Sequence, residues 1–106
     1  MPKYLFKASY TPEGAQGVMK EGGTGRRDTI QKLAETSGGQ MECFYFGFGE
    51  TDAYVICDVP DNSTAAAIAL AVNSSGAAHV TTVALMTPEE IDQATRRTVE
   101  YRPPGA

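Results

Sequence analysis

The sequence predicts an α+β fold in which helices cover one face of a four-stranded antiparallel sheet. Four short segments carry the alternating residue pattern or the aromatic and β-branched enrichment that is typical of strands, and two longer segments have helical spacing with capping residues in front of them. The chain has 106 residues, of which 42% are hydrophobic and 21% charged, values that fit one globular domain.

The N-terminal part of the chain predicts the first strand and the first helix. Residues 3–10 (KYLFKASY) form the strand in this prediction, because aromatic side chains occupy alternate positions. Thr11 then supplies a hydroxyl N-cap, and Pro12 takes the first helical position, where its missing N–H costs nothing. The helix meets the glycines of the segment EGGTGRR, resumes at Ile30, and ends at the double glycine that begins at Gly38.

The segments QMECFYFGF and AYVICDV predict a hairpin of two strands joined by a short loop. Their pattern leaves the register open. If Gly47 lies opposite Ala53, then Cys43 lies opposite Cys57 and the two thiols share a face. The same register places Glu42 beside another carboxylate, which is unfavourable, so other registers stay open.

The second half of the chain repeats the pattern of the first. A second helix is predicted between about Ser63 and Ser74, followed by a fourth strand, AHVTTVAL. The segment TPEE at residues 87–90 forms a capping box and predicts a short final helix. This order is the βαββαβ arrangement of a ferredoxin-like fold, so we expect residues 1–94 to form the domain. Residues 95–106 are expected to be a tail that is mobile or orders only against a partner.

The predicted hairpin is apolar on both faces, although two helices can cover only one face of the sheet. A second cover is needed, and another copy of the chain is the simplest source. We therefore expect a homodimer at least, assembled sheet to sheet as a dimeric α+β barrel. In this prediction one face carries Met41, Cys43, Tyr45, Val55 and Cys57, and the other carries Phe44, Phe46, Phe48, Tyr54 and Ile56.

Several segments together resemble the GYD-domain family, small bacterial proteins of the dimeric α+β barrel type. They are YTPEGAQGVMKEGGTGRR, FYFGFGETDAYVICDVPD and LAVNSSG followed by TTVALMTPEEID, and they span roughly Met1 to Ala94. The motif that gives the family its name departs here, because Thr51 stands where the family has tyrosine. The resemblance implies the fold and the assembly, and it implies no catalytic residues.

Composition excludes several classes of function. The formal net charge is -4 and the basic residues are scattered, which argues against binding to nucleic acid or to an anionic membrane. No export signal or membrane-spanning segment is visible, so we expect a cytoplasmic protein with reduced cysteines. One histidine and two cysteines without paired-ligand spacing predict neither a metal site nor a cofactor.

The glycine-rich segment is the first candidate for a binding site. Its backbone N–H groups, with Arg26 or Arg27 as a fork, could hold an anion. The segment lacks the lysine and the preceding strand of a P-loop. We favour the simpler interpretation that the glycines break the helix, with the arginines at the surface or at a subunit contact.

Proton-transfer candidates are few. His79, the only histidine, lies near the start of the fourth strand, on the face of Thr81. Tyr45 lies on a strand expected to line the barrel interior, and Asp52 closes the hairpin; both could bind or polarise a small oxygenated ligand. The simpler explanations are an exposed or merely hydrogen-bonded side chain for His79, aromatic packing for Tyr45 and turn formation for Asp52.

Two hypotheses about function follow. The first is a non-catalytic homo-oligomer that binds a small, partly apolar ligand between sheet and helices, or that serves only as an assembly unit. The second is a small cofactor-independent enzyme, an oxygenase or isomerase, with His79, Tyr45 or Asp52 as the proton-transfer group. In the second hypothesis Arg26 or Arg27 orients an anionic substrate.

Overall fold

The computed structural model describes all 106 residues and confirms the α+β, ferredoxin-like prediction. The four strands form one sheet in the order β2-β3-β1-β4, and every neighbouring pair is antiparallel. The elements in chain order are β1 (Lys3–Tyr10), α1 (Pro12–Glu21), α2 (Gly23–Thr36), β2 (Gln40–Phe46), β3 (Ala53–Asp58), α3 (Asn62–Ser74), β4 (Ala78–Leu85) and α4 (Pro88–Thr95).

The glycine-rich segment divides the first helical region, as the simpler interpretation predicted. Gly22 has φ 85° and ψ 161°, a conformation that ends α1 and begins α2. The Gly22 N–H donates to the Val18 carbonyl, and the Arg26 N–H donates to the Gly22 carbonyl. One glycine therefore closes the first helix and opens the second, and it sets the direction in which α2 leaves.

The hairpin register that paired the two cysteines is wrong. Cys43 lies opposite Ile56, and Met41 lies opposite Cys57, because the pairing shifts between Met41 and Cys43. This β-bulge turns Cys43 to the face away from Cys57. It also relieves the carboxylate clash that the predicted register implied, since Glu42 forms an ion pair with a lysine instead of facing an acid alone.

The same bulge corrects the predicted division of the hairpin into faces. Beyond it, Tyr45 pairs with Tyr54, whereas Phe44 pairs with Val55. We call the side packed against α2 and α3 the covered face, and the opposite side the open face. The hydrophobic core lies on the covered side and contains Tyr4, Phe6, Ala34, Val55, Cys57, Val59, Ala65 and Val80.

The open face has no cover from its own chain. One apolar row crosses all four strands, in which Cys43, Ile56, Leu5 and Val83 are successive cross-strand partners. Val83 keeps 40% of its surface exposed. The dimer that the sequence predicts would lie here, because this apolar row remains unpaired in the single chain.

The C-terminal end has the predicted short helix. Thr87 caps α4, and the Glu90 side chain accepts from the Thr87 backbone N–H, so the capping box is complete. Every residue from Met86 to Ala106 is exposed. None of the helices has the length and apolar character needed to cross a membrane.

Candidate functional site

A cavity of about 50 Å³ lies between the covered face and the helices α2 and α3. Fourteen of its fifteen lining residues are hydrophobic, and the fifteenth is Arg26. The lining residues are Phe6, Ala8, Tyr10, Arg26, Ile30, Leu33, Ala34, Phe44, Ala53, Val55, Cys57, Ile68, Val72, Ala78 and Val80.

Small side chains at one end of the sheet create this space. Ala8 lies opposite Ala53 on β3, and Ala78 lies opposite Tyr10 where β4 begins. Three alanines at neighbouring positions leave room that larger side chains would fill. The sequence alone does not reveal this cluster of alanines, because they lie far apart in the chain and only the strand pairing brings them together.

Arg26 is the only charged residue that lines the cavity. It takes part in none of the chain's three ion pairs, and its Nε atom is buried without a hydrogen-bond partner. It follows directly after the first three residues of α2, where the helix dipole disfavours a positive charge. The guanidinium is therefore partly desolvated and lacks a counter-ion within the chain.

Arg27, the neighbouring candidate, lies apart from the cavity. Its Nη2 atom is 3.2 Å from Oδ1 of Asp28, and both side chains are at least half exposed. An exposed ion pair of this kind contributes little to stability. The two adjacent arginines thus have different surroundings, and only the first faces the apolar space.

Asp52 holds two strands together at the end of the sheet that contains the alanines. Its Oδ2 atom accepts from the Tyr10 N–H at 2.9 Å, and its own N–H donates to the Ala8 carbonyl at 2.8 Å. These contacts join the hairpin loop to the end of β1. They hold two cavity-lining residues, Ala8 and Tyr10, in position.

His79 and Tyr45 lie on the open face, at opposite edges of the sheet. His79 on β4 pairs with Ser9, and Tyr45 on β2 pairs with Tyr54. Tyr45 is 69% exposed. Since the sheet separates both side chains from Arg26, one chain does not bring these candidates together in a single site.

Cys57 lines the cavity, and Cys43 lies on the open face. Burial raises the pKa of the Cys57 thiol to about 11, and the charges of Asp58 and Cys43 add to this shift. Cys57 is therefore a neutral thiol at physiological pH and a weak nucleophile. In the cavity, Cys57 forms an apolar part of the wall.

An ion cluster that the sequence analysis missed lies on the open face. Lys3 Nζ is 2.7 Å from Glu42 Oε1 and 3.0 Å from Asp58 Oδ1. The hydrogen bonds to Glu42 and Asp58 raise the pKa of Lys3, and the Lys3 hydrogen bond lowers the pKa of Asp58. The only sequence signal was the apparent clash of two carboxylates, which the lysine resolves.

Comparison with known proteins identifies one family. The family model described as GYD domain matches residues 4–95. No curated protein and no solved structure matches the chain.

Proposed function

We propose that this chain, which belongs to the GYD domain family, forms a homodimer in which each copy binds a small, mainly apolar molecule in its sheet–helix cavity. The observation that carries the binding proposal is the lining, in which fourteen of fifteen residues are hydrophobic. Water gains few hydrogen bonds in such a space, so an apolar occupant is favoured over solvent. A concave apolar space with one polar group is the usual form of a small-molecule site.

The homodimer proposal is supported by the size and charge of the open face. Four strands of six to eight residues, about 4.8 Å apart, cover about 450 Å². Two such faces bury about 900 Å², close to the ~1,000 Å² expected of a specific interface. Lys3 and Lys7 balance Glu42 and Asp58 on this face, whereas the whole chain has a net charge of -4. A neutral face with charges of both signs suits contact with its own copy.

The arrangement favours binding over catalysis. General acid–base chemistry in the cavity requires a titratable group within hydrogen-bond reach of the ligand. His79 and Tyr45 lie on the other side of the sheet, and Asp52 is engaged by the backbone of Tyr10. Cys57 faces the cavity as a neutral thiol. None of the three proton-transfer candidates of the enzyme hypothesis therefore lines the cavity beside Arg26 within one chain.

Native mass spectrometry of protein purified from its natural host, without a metal-affinity step, tests both parts of the proposal. We expect a mass of twice 11.3 kDa or a multiple of it, plus a small bound molecule. A monomer would contradict the assembly. Oligomers that are empty in repeated gentle preparations would argue for an assembly unit without a ligand.

A pair of variants tests the cavity with a defined probe. Xenon occupies dry apolar cavities, so we expect it to shift the amide signals of the cavity-lining residues in two-dimensional NMR spectra. Ala8→Leu adds three carbons to the cavity wall and should abolish these shifts. Ala67→Leu, on the exposed side of α3, is the matched control and should leave them unchanged. Equal xenon shifts in both variants would show that the cavity is not the binding space.

A second pair of variants tests the interface. Val83→Lys places a charge in the apolar row of the open face and should raise the dimer dissociation constant at least tenfold, measured by light scattering across a dilution series. Leu70→Lys replaces a 71% exposed residue of α3 and should leave the dissociation constant unchanged. If only Leu70→Lys dissociated the dimer, the helices would form the interface and the proposal would be wrong.

A further inference from the structure

We infer that the ligand of the cavity is a small monocarboxylate with a short branched or cyclic apolar body, and that Arg26 binds its carboxylate. This inference rests on the proposed function, because it names the chemical class of the molecule that the same cavity holds. The inference adds that the ligand carries a negative charge, which an apolar cavity alone does not require.

The charge of Arg26 is unsatisfied within the chain. Its Nε atom is buried without a partner, and no carboxylate of the chain pairs with its guanidinium. Leaving a buried donor unpaired is unfavourable, and more so when the group is charged. A bound anion would remove this cost and would also offset the unfavourable position of Arg26 near the start of α2.

The acids that could neutralise Arg26 have other partners. Glu21, on the preceding helix, accepts a hydrogen bond from the Thr29 hydroxyl, and Asp28 forms an ion pair with Arg27. Asp52 accepts from the Tyr10 backbone N–H. A chain with thirteen acidic residues therefore pairs none of them with the one cation that faces its apolar cavity. The chain therefore leaves the Arg26 guanidinium available to an anion from outside.

The lining of the cavity limits the orientation and the charge of the ligand. Arg26 lies in the early part of α2, whereas Leu33 and Ala34 line the cavity two turns further along the helix. A ligand that places its charged group at Arg26 therefore extends its apolar body toward Leu33, Ala34 and Cys57. No other lining residue is charged, so a second charge on the ligand would be buried without an oppositely charged partner. This favours a monocarboxylate over a dicarboxylate.

The size of the cavity limits the apolar body. A single water needs about 10–15 Å³ of such space. The cavity of about 50 Å³ therefore holds only a few heavy atoms. With the carboxylate at Arg26, isobutyrate and isovalerate place about three and four apolar carbons in the cavity and serve as probes within this limit. Isobutyramide is a neutral analogue of isobutyrate with nearly the same shape. A bidentate guanidinium–carboxylate pair adds affinity for the acid that the amide cannot obtain.

The experiment titrates full-length protein with isobutyrate and with isobutyramide and follows the amide signals of the cavity residues by NMR. We expect the wild type to bind the acid at least tenfold more tightly than the amide. Arg26→Met keeps an apolar stem of similar length and should weaken isobutyrate binding at least tenfold, with little change for isobutyramide. Arg26→Lys should retain part of the preference, and Arg27→Met, at the paired surface arginine, should retain all of it.

The outcomes separate this inference from the proposed function. If xenon and isobutyramide enter the cavity but isobutyrate binds no better than the amide, the binding proposal stands and the carboxylate inference is wrong. If none of the three probes enters the cavity, the proposed function itself fails. An unchanged preference in Arg26→Met, with Arg27→Met losing it, would assign the anion to the surface arginine instead.

Discussion

Gly14→Ala should cost the protein much of its stability, although alanine is the better helix former. A Cβ atom at Gly14 would lie 1.8 Å from the Ala77 carbonyl oxygen, whereas ordinary contacts begin at 3.4 Å. The start of β4 and the first turn of α1 would therefore have to separate by roughly 1.6 Å, the difference between these two distances.

The expected loss of stability follows from the hydrogen bonds that the Ala77 carbonyl oxygen accepts. The Ala77 oxygen accepts from the Thr11 N–H at 3.0 Å and from the Thr11 hydroxyl at 3.2 Å. The same hydroxyl caps α1 by accepting from the Gly14 N–H. Losing the backbone bond and the cap costs about 1 kcal/mol each, and the overlap adds about 1–3 kcal/mol. Helix propensity returns about 1 kcal/mol, so the net loss is about 2–4 kcal/mol.

Gly17→Ala is the matched control in the same helix. A Cβ atom at Gly17 has nothing within 4 Å, so only the propensity gain of about 0.5–1 kcal/mol remains. Urea unfolding of both variants and the wild type, at one protein concentration, measures the difference. If Gly14→Ala were as stable as Gly17→Ala, α1 would not lie as close to the start of β4 as the structure places it. Because Ala78 lines the cavity, Gly14→Ala should also weaken xenon binding.

Two further predictions concern pH. The raised pKa of Cys57, about 11 against an ordinary value of 9.0, means that the unfolded chain loses this proton first as pH rises. The free energy of unfolding should therefore fall between pH 9 and 11 by about 2 kcal/mol. Urea unfolding should show this slope in Cys43→Ala and lose it in Cys57→Ala; an unchanged slope in Cys57→Ala would refute the assignment. The Lys3 hydrogen bond lowers the pKa of Asp58, so the stability that Asp58 contributes is present above its ordinary pKa and is lost as pH falls below it. Asp58→Asn should thus be less stable than the wild type at pH 7 and approach it near pH 2, and a constant difference would contradict the ion cluster.

Local signals in the sequence predicted the helix ends. The strand register and the cavity depend on contacts between residues far apart in the chain, which the sequence pattern does not show. Thr11 and Thr87 cap helices through contacts within three residues, so their roles are visible in the sequence. At the bulge, Glu42 pairs with Lys3, a residue of another strand, and no pattern within the hairpin reveals this pairing. The cavity likewise depends on three alanines from different strands. His79 was placed correctly on the face of Thr81, but the separation of that face from Arg26 became visible only with the sheet.

The glycine-rich segment unites the fold with the proposed site, because Gly22 determines where Arg26 lies. A Cβ atom at Gly22 would meet nothing within 4 Å, so any cost of Gly22→Ala arises from the backbone. The φ of 85° and ψ of 161° belong to a region that is almost exclusive to glycine, and holding another residue there costs about 1–3 kcal/mol. The chain can avoid this cost by changing the angle between α1 and α2, which would move Arg26 relative to the cavity.

Gly22→Ala should therefore weaken isobutyrate binding by more than isobutyramide binding. Gly25→Ala, whose Cβ would meet only the flexible Glu21 side chain, should leave both unchanged. If Gly22→Ala lowered stability but preserved the preference for the acid, Arg26 would reach the ligand independently of the helix break.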